Sequence, residues 1–226
     1  MQHLTTLDLS SNVIGVLKRE SLQGLPNLTG LKIGRNELSR IGEGAFVEAP
    51  ELKHLDLGGN RFLKLDQETF RALKNLESLN LAENELDDIN GLLQTQINLK
   101  WLNISNNHLA WFDYAFVPPS VEWLDIHSNK IDALGNYYNL DGSFRLKYLD
   151  ASKNQILELE PANILASMEN LYLNENKIMK ISPNTFLGKN QLNQVHLQKN
   201  DLSTLSRASL QVSPQESKNH PVAFYD

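Results

Sequence analysis

The sequence predicts an α/β solenoid, in which short coils stack on one another and build a parallel β-sheet along a concave side. Composition is the first sign, because 40 of the 226 residues are leucine and 25 are asparagine, both far above ordinary usage. The second sign is a Leu-x-x-Leu-x-Leu spacing that recurs along the chain, and the third is an asparagine that follows each recurrence. Self-similarity with a period of about 20 to 50 residues is the signature of a stacked repeat.

The repeat is regular enough to define the fold. Its first copy reads Leu4-x-x-Leu7-x-Leu9-x-x-Asn12, and the later copies keep that order. The in-phase asparagines lie 22 to 25 residues apart, and they are Asn12, Asn36, Asn60, Asn84, Asn107, Asn129, Asn154, Asn176 and Asn200. This pattern predicts a leucine-rich repeat horseshoe of about nine repeats, with a parallel concave sheet and an irregular convex side.

Each part of the repeat has a physical role. Alternation with period two predicts a short strand whose leucines point inward and whose intervening residues point outward. The asparagine amide both donates and accepts, so it can satisfy turn groups that would cost about 1–3 kcal/mol each if buried unpaired. We assign residues 1–212 to an uncapped array, and residues 213–226 to a polar C-terminal tail that leads toward a missing cap.

Charge and composition exclude several classes of partner and chemistry. The formal net charge is −6 and no basic block occurs, which argues against a nucleic-acid partner. There is no cysteine, no apolar run of membrane-spanning length and no catalytic or phosphate-binding motif. We therefore expect no enzymatic activity, no cofactor, no metal, and contact with a membrane only through segments outside this sequence. His54, His127 and His196 should face outward about 14 Å apart, too far to share a metal ion.

Two sets of outward side chains are candidates for function. Aspartates recur at one outward position, Asp8, Asp56, Asp125 and Asp150, where paired carboxylates could serve acid–base chemistry or calcium but are more often a solvated filling of the repeat. Aromatic residues form a candidate ligand-binding patch on the concave face, consisting of Trp101, Trp123, Tyr148 and Tyr172. Exposed aromatics are enriched at binding hot spots, but they can equally stack as a cross-strand ladder that stiffens the sheet.

Two sequons, at Asn27 and Asn103, match the N-glycosylation acceptor. A chain this rich in asparagine is expected to contain two or three by chance, so they do not prove secretion. Asn103 lies two residues after Trp101 and shares its face. A glycan at Asn103 would cover the aromatic patch, so we expect either glycosylation or ligand contact there, and favour glycosylation.

The fifth and sixth repeats are irregular and carry a distinctive phrase. Residues 111–126 read Trp-Phe-x-Tyr-Ala-x-x-Pro-Pro-Ser-x-Glu-Trp-Leu-Asp-Ile, and the likeness extends from Leu99 to Ile181. This stretch resembles the later ectodomain repeats of insect Toll receptors, especially the long Tolls of the Tollo and 18-wheeler group. The cysteine-rich caps, membrane span and TIR domain of that family are not in this sequence.

The resemblance implies part of the ectodomain of a type I membrane receptor at the extracellular side of the plasma membrane. Its expected role is protein recognition in innate immunity or development, with a cystine-knot cytokine-like or cell-surface ligand, possible receptor dimerisation and signalling through an intracellular TIR domain. Two alternatives stay open: another extracellular leucine-rich adhesion or secreted immune protein, and an intracellular leucine-rich scaffold.

Overall fold

The computed structural model describes residues 1–211 and the backbone of Ala223–Tyr225. The chain divides into two units, Met1–His108 with Phe116–Val121 and Leu109–Ala115 with Glu122–Asp226. In each unit every coil of the repeat contributes one short strand to a parallel sheet. The leucines of the strands point into the core, and the flanking residues line the opposite side, which we call the open face and which is the predicted concave side.

The first unit contains a five-stranded parallel sheet. Its strands are β1 (Thr6–Asp8), β3 (Gly30–Lys32), β5 (His54–Asp56), β6 (Ser78–Asn80) and β7 (Trp101–Asn103). They pair in one register, so that the central leucines of successive strands lie opposite one another, Leu7, Leu31, Leu55, Leu79 and Leu102. On the convex side, β2 (Val16–Leu17) pairs with β4 (Arg40–Ile41) in parallel.

The second unit repeats this arrangement. Its sheet consists of β9 (Trp123–Asp125), β11 (Tyr148–Asp150), β13 (Asn170–Tyr172), β15 (Gln194–His196) and β16 (Ala223–Tyr225). Two small convex sheets pair β8 (Phe112–Asp113) with β10 (Leu134–Gly135), and β12 (Glu158–Leu159) with β14 (Lys180–Ile181). Strand β16 lies within the predicted tail of residues 213–226, and most of that tail, 213–222 and 226, is outside the described residues.

The core and the convex side agree with the predicted fold class, which is confirmed. Leu31, Leu79 and Leu149 are fully buried, as alternation requires. The convex segments are turns and short 3₁₀ helices, at Arg19–Leu22, Tyr114–Phe116, Asp141–Ser143 and Pro161–Asn163. The part of the chain that is described contains no helix long and apolar enough to cross a membrane.

The irregular repeats are held by contacts that skip a repeat. The buried Tyr114 hydroxyl donates to the carbonyl of Asn163 at 2.7 Å, 49 residues further along the chain. Burial raises the pKa of this phenol above its ordinary value, so it stays a protonated donor. Lys189, also buried, pairs with Asp141 at 2.9 Å across a similar separation. Asp141 belongs to the convex loop between Leu134 and Phe144, so its pair with Lys189 ties that loop to a later repeat.

In each turn, the residue just before the in-phase asparagine has a left-handed backbone conformation, which the sequence pattern does not predict. The residue immediately before each ladder asparagine has a φ between 52° and 65°. Only one of these residues, Gly59, is a glycine; Ser11, Arg35, Glu83 and Lys153 are among the others. A side chain in this region costs about 1–2 kcal/mol, so the hydrogen bonds of the adjoining asparagines must offset a recurring strain.

Candidate functional site

The asparagine ladder links successive repeats through the backbone. Asn154 donates through Nδ2 to Ala151 in its own turn and to Ile126 in the preceding repeat, at 3.1 and 3.0 Å. Its Oδ1 accepts from the backbone N–H of Ile131 at 3.0 Å. The same set of bonds recurs at Asn36, Asn60, Asn84, Asn107 and Asn176, all 4–8% exposed. Each amide therefore joins two coils, and the ladder positions the sheet that carries the open face.

A second polar ladder runs along the other edge of the sheet. The residue just before the first leucine of a repeat donates its side chain to a carbonyl of the preceding repeat: Asn27 to Gln2, Asn75 to Pro50 and Asn98 to Lys74. Serine takes this place at Ser120 and Ser167. Sequence reasoning missed this ladder, although the Asn-Leu dipeptide at three of the repeats was a usable signal.

The open face of the second unit carries a continuous ring stack. Trp123 and Tyr148 are parallel at a centroid distance of 5.1 Å, Tyr148 and Tyr172 are tilted at 5.2 Å, and Tyr172 and His196 are parallel at 4.5 Å. Trp123 lies opposite Tyr148 and Tyr172 lies opposite His196 in the strand register, whereas Tyr148 and Tyr172 are diagonal neighbours on adjacent strands. Three of the four predicted patch residues thus lie together, and His196, which was predicted only to face outward, extends them.

Stacking decides which part of each ring meets solvent. The rings are half-buried and their faces lie against neighbouring rings, so the open face presents ring edges and the Tyr148 and Tyr172 hydroxyls. The cross-strand ladder considered from sequence is therefore present. It is also a rigid, partly apolar surface of the kind that protein ligands contact. Burial, followed by the charge of Asp150, raises the pKa of Tyr148 to about 12.

Trp101, the fourth predicted patch residue, belongs to the first unit. There it walls a shallow depression of about 380 Å³ on the open face, together with Thr6, Gly30, His54 and Ser78. The depression exists because Gly30 and Ser78 occupy positions that hold large rings in the second unit. The two open faces therefore differ in relief, with a hollow in the first unit and a filled stack in the second.

The outward aspartates act first as turn caps. Oδ1 of Asp8, Asp56, Asp125 and Asp150 accepts the backbone N–H two residues ahead, at 2.9–3.0 Å. Asn80 and Asn103 make the same bond. The bond to Ser10 is the leading cause that holds the pKa of Asp8 below its usual value. This shared geometry favours the structural interpretation of the aspartate column.

At Asp125 and Asp150 a histidine, His127, joins the aspartate column and forms a cluster of three possible ligand groups. Ligand atoms of Asp125, His127 and Asp150 all lie within 4.8 Å of one another. Burial raises the pKa of Asp125, the charge of Asp150 adds to it, and the bonds from His127 oppose it. Nδ1 of His127 is 2.6 Å from Oδ1 of Asp125, a separation that fits a shared proton better than two ligands of one ion. Sequence reasoning considered these histidines and aspartates separately and so missed the cluster.

The two sequons differ in their surroundings. Asn27 is exposed, and its Nδ2 donates to the Gln2 carbonyl at 2.6 Å. Asn103 is half-buried, its Oδ1 accepts from the N–H of Ser105 at 2.9 Å, and Ser105 itself is buried. Asn27 therefore lies at an edge where a glycan is readily accommodated, whereas a glycan on Asn103 would stand on the open face beside Trp101.

Coil geometry, the asparagine ladder and a family comparison together define the class of protein. The leucine-rich repeat family matches residues 2–62 and 50–109, so the chain contains leucine-rich repeats. Within that class it is similar to Toll-like receptor 7 of Drosophila melanogaster, with 50% identity over 222 residues. That similarity covers 98% of this chain and 15% of the receptor, so the chain spans a small part of its relative's length. The predicted resemblance to insect Toll receptors is confirmed.

Other similarities support the fold. Human lumican is 32% identical over 127 residues, covering 46% of this chain and 37% of lumican. The receptor in the TLR13–ssRNA13 complex superposes with a TM-score of 0.66 and 27% identity, over 90% of this chain and 34% of that one. A chain of the LRIM1/APL1C complex gives a TM-score of 0.66 at 22% identity, over 93% and 45% of the two chains, and shows the fold alone.

Proposed function

We propose that this chain is part of the ligand-binding ectodomain of a Toll-like receptor and that the open face of its sheet contacts a protein ligand. The observation that carries the proposal is the stack of Trp123, Tyr148, Tyr172 and His196. Rings that are locked against each other lose little conformational entropy on binding, which is why rigid aromatics serve well as contact residues. The 50% identity to a Toll-like receptor supports the receptor context.

The proposal includes the partner and the location. The ligand is a cystine-knot cytokine-like or cell-surface protein, the chain lies at the extracellular side of the plasma membrane, and its role is recognition without catalysis. A nucleic-acid ligand is disfavoured because the chain carries a net charge of −6, whereas phosphate binding requires a basic surface. The alternative is another extracellular leucine-rich adhesion or secreted immune protein. Dimerisation of the receptor is part of the leading proposal.

Glycosylation is proposed at Asn27, because this side chain is exposed at the edge of the sheet. Occupancy of Asn103 would place a bulky sugar on the open face of the first unit, beside Trp101. The expectation that a glycan and ligand contact exclude each other applies directly to Trp101, which lies on the same strand as Asn103. Glycopeptide mass spectrometry of secreted chain measures the occupancy of both sites.

The test compares two double variants for binding to immobilised cystine-knot cytokine-like proteins, measured by surface plasmon resonance. Tyr148→Ala with Tyr172→Ala opens the stack and should weaken binding about tenfold or more, the loss typical of hot-spot aromatics. Tyr137→Ala with Tyr138→Ala removes two exposed tyrosines from a convex loop and is the matched control. Circular dichroism and thermal unfolding establish that both variants are folded.

Equal binding by the wild-type chain and the stack variant would place the contact elsewhere. An equal loss in the convex-loop control would mean that general aromatic surface, rather than the stack, determines binding. If the wild-type chain binds none of these proteins, the cystine-knot class is the wrong ligand class for this part of the receptor.

A further inference from the structure

The depression on the open face of the first unit ends beside a sequon. Strand β7 carries Trp101 and Asn103, whose side chains point to the same face because they lie two residues apart on one strand. Trp101 walls the depression of about 380 Å³, and Asn80, which also lines it, lies directly opposite Asn103 in the strand register. Asn103 therefore adjoins the depression both along its own strand and across to the neighbouring one.

The side-chain nitrogen of Asn103 is left open to modification. Its Oδ1 accepts the N–H of Ser105 at 2.9 Å, whereas its Nδ2 donates to none of the described residues. The equivalent nitrogen of Asn80 donates to Oδ1 of Asp56 at 2.8 Å, and that of Asn27, in the other sequon, donates to a backbone carbonyl at 2.6 Å. Asn103 thus combines a glycosylation sequence with a nitrogen that the fold does not use.

Resting on the extracellular location in the proposed function, we propose that Asn103 carries an N-linked glycan whose first N-acetylglucosamine packs against Trp101 and occupies the depression. Transfer forms a bond between Nδ2 and C1 of a lipid-diphosphate-linked oligosaccharide. The lipid diphosphate is the leaving group, and Nδ2 gives up one of its two protons. Ser105, whose hydroxyl the sequon requires, is buried in the fold, so transfer precedes folding of this repeat.

The depression has the chemistry that a sugar ring requires. Its volume is at the lower end of the range of about 300–1,000 Å³ found for ligand sites, which suits a sugar better than a larger ligand. A pyranose presents apolar C–H groups that pack on an indole, and hydroxyls that need donors and acceptors. Lys32 and Asp56 line the depression, and Oδ2 of Asp56 bonds to no described residue.

The chain's own glycan is the occupant that this arrangement favours. A sugar attached to Asn103 is held next to the depression, so it has a high effective concentration there and loses no translational freedom on packing. A side chain of a protein partner would have to displace it. The glycan would then be an ordered part of the open face of the first unit.

The test compares glycoforms of chains that keep a single sequon. Ser105→Ala leaves only Asn27, and Thr29→Ala leaves only Asn103; each chain is secreted behind a signal peptide, and endoglycosidase H trims its high-mannose glycan to one N-acetylglucosamine. The same sequence made in bacteria carries no sugar, so each variant is compared with its own glycan-free form. Asn27 is the matched control because Leu25, two residues before it, is buried and not aromatic.

The sugar on Asn103 should raise the melting temperature by about 2–4 °C, the shift that one favourable ring contact gives in a chain of this size. It should also lower oxidation of Trp101 by hydroxyl radicals severalfold, measured by peptide mass spectrometry. Oxidation of Trp111, which is 50% exposed, should stay the same. The sugar on Asn27 should change neither quantity.

Two further variants of the chain that keeps Asn103 separate packing from attachment. Trp101→Ala removes the wall of the depression and should abolish the temperature shift. Ser78→Tyr should abolish it as well, because Ser78 lies opposite Trp101 in the register and a ring there fills the depression while the indole is kept. This second variant covers the case in which the loss of Trp101 prevents folding.

Three results would overturn the inference. One is an unoccupied Asn103 in the secreted chain, and another is an occupied Asn103 with unchanged oxidation of Trp101, which would place the sugar in solvent. The third is a temperature shift that persists in both variants or that Asn27 reproduces. An empty Asn103 together with weaker partner binding by Trp101→Ala would assign the depression to a side chain of the partner. If opening the ring stack still abolishes partner binding in any of these cases, the proposed receptor function stands and this inference alone fails.

Discussion

At the residue scale, the asparagines of the ladder form hydrogen bonds between repeats, which a single repeat cannot form alone. Ordering a coil of about 24 residues costs at least about 1 kcal/mol of backbone entropy per residue. A single coil buries too few apolar side chains to offset that cost. Asn129 and Asn154 each offer Oδ1 to a backbone N–H of the preceding repeat, Leu109 and Ile131 respectively. Neighbouring coils are thereby joined by buried bonds as well as by apolar contact.

Replacing Asn129 or Asn154 with alanine should lower the free energy of unfolding by about 1–3 kcal/mol, because buried carbonyls and an N–H lose their partner. Urea denaturation followed by circular dichroism measures the change. Asn12→Ala is the control, since this asparagine is exposed and water can replace its bonds. A stability unchanged at both buried sites would remove the physical basis of the ladder.

At the element scale, strand pairing turns isolated residues into combined surfaces. Strands β9 and β11 align Trp123 with Tyr148 and Asp125 with Asp150 in one register. Stacking of the rings is favourable, whereas like charges directly opposite one another are not. The convex elements show the same principle, because the contacts of Tyr114 with Asn163 and of Lys189 with Asp141 each reach past a neighbouring repeat.

The carboxylate pair predicts a pH dependence of stability. Because the pKa of Asp125 is raised in the fold, the folded state binds its proton more readily than the unfolded state. The stability gained from this group is complete below the ordinary value of 3.8 and is lost as the pH rises through the folded pKa. Asp125→Asn should therefore raise stability at pH 7, with a benefit that diminishes toward pH 4.

Urea unfolding of the wild-type chain and the Asp125→Asn variant across this pH range provides the measurement. Asp8→Asn should show the opposite sign, since hydrogen bonding to Ser10 holds the pKa of Asp8 below its usual value. The interpretation of the cluster would be wrong if Asp125→Asn destabilised the chain at neutral pH by more than it does at pH 4.

At the scale of the whole molecule, stability is a sum over nearest neighbours. In a solenoid each coil contacts chiefly the coils on either side, so a local loss should be felt first by the adjacent repeats. The buried central residues of the second sheet are a direct example, with Leu149 paired to Leu124 on one side and Leu171 on the other.

Leu149→Ala should cost about 2–5 kcal/mol, the range for a truncated buried leucine. Hydrogen exchange should accelerate first in β11 and in its neighbours β9 and β13, and later in β15. Met179→Ala, a change at an exposed convex residue, is the control and should leave exchange in these strands unchanged. Uniform acceleration along the whole second sheet would contradict nearest-neighbour coupling.

Much of the fold was predictable because the local spacing of leucine and asparagine defines the repeat. Alternating leucines such as Leu55 and Leu57 indicate a strand, and their recurrence indicates that the strands are parallel and in register. The left-handed residues such as Arg35 were not predictable, because any small or polar residue occupies this position and no side chain identifies it. The second polar ladder was missed because its residue type changes along the chain, from asparagine at Asn27, Asn75 and Asn98 to serine at Ser120 and Ser167.

The sequence by itself determined the coil, its period, the inward leucines, the asparagine ladder and the kinship with Toll receptors, since each depends on residue type and spacing alone. Tertiary structure decided what the outward residues do together. It added His196 to the stack and brought Asp125, His127 and Asp150 within reach of one another. The physical reason is that outward side chains meet across strands that lie a full repeat apart in the chain, so their contacts depend on register, ring orientation and the space left by their neighbours.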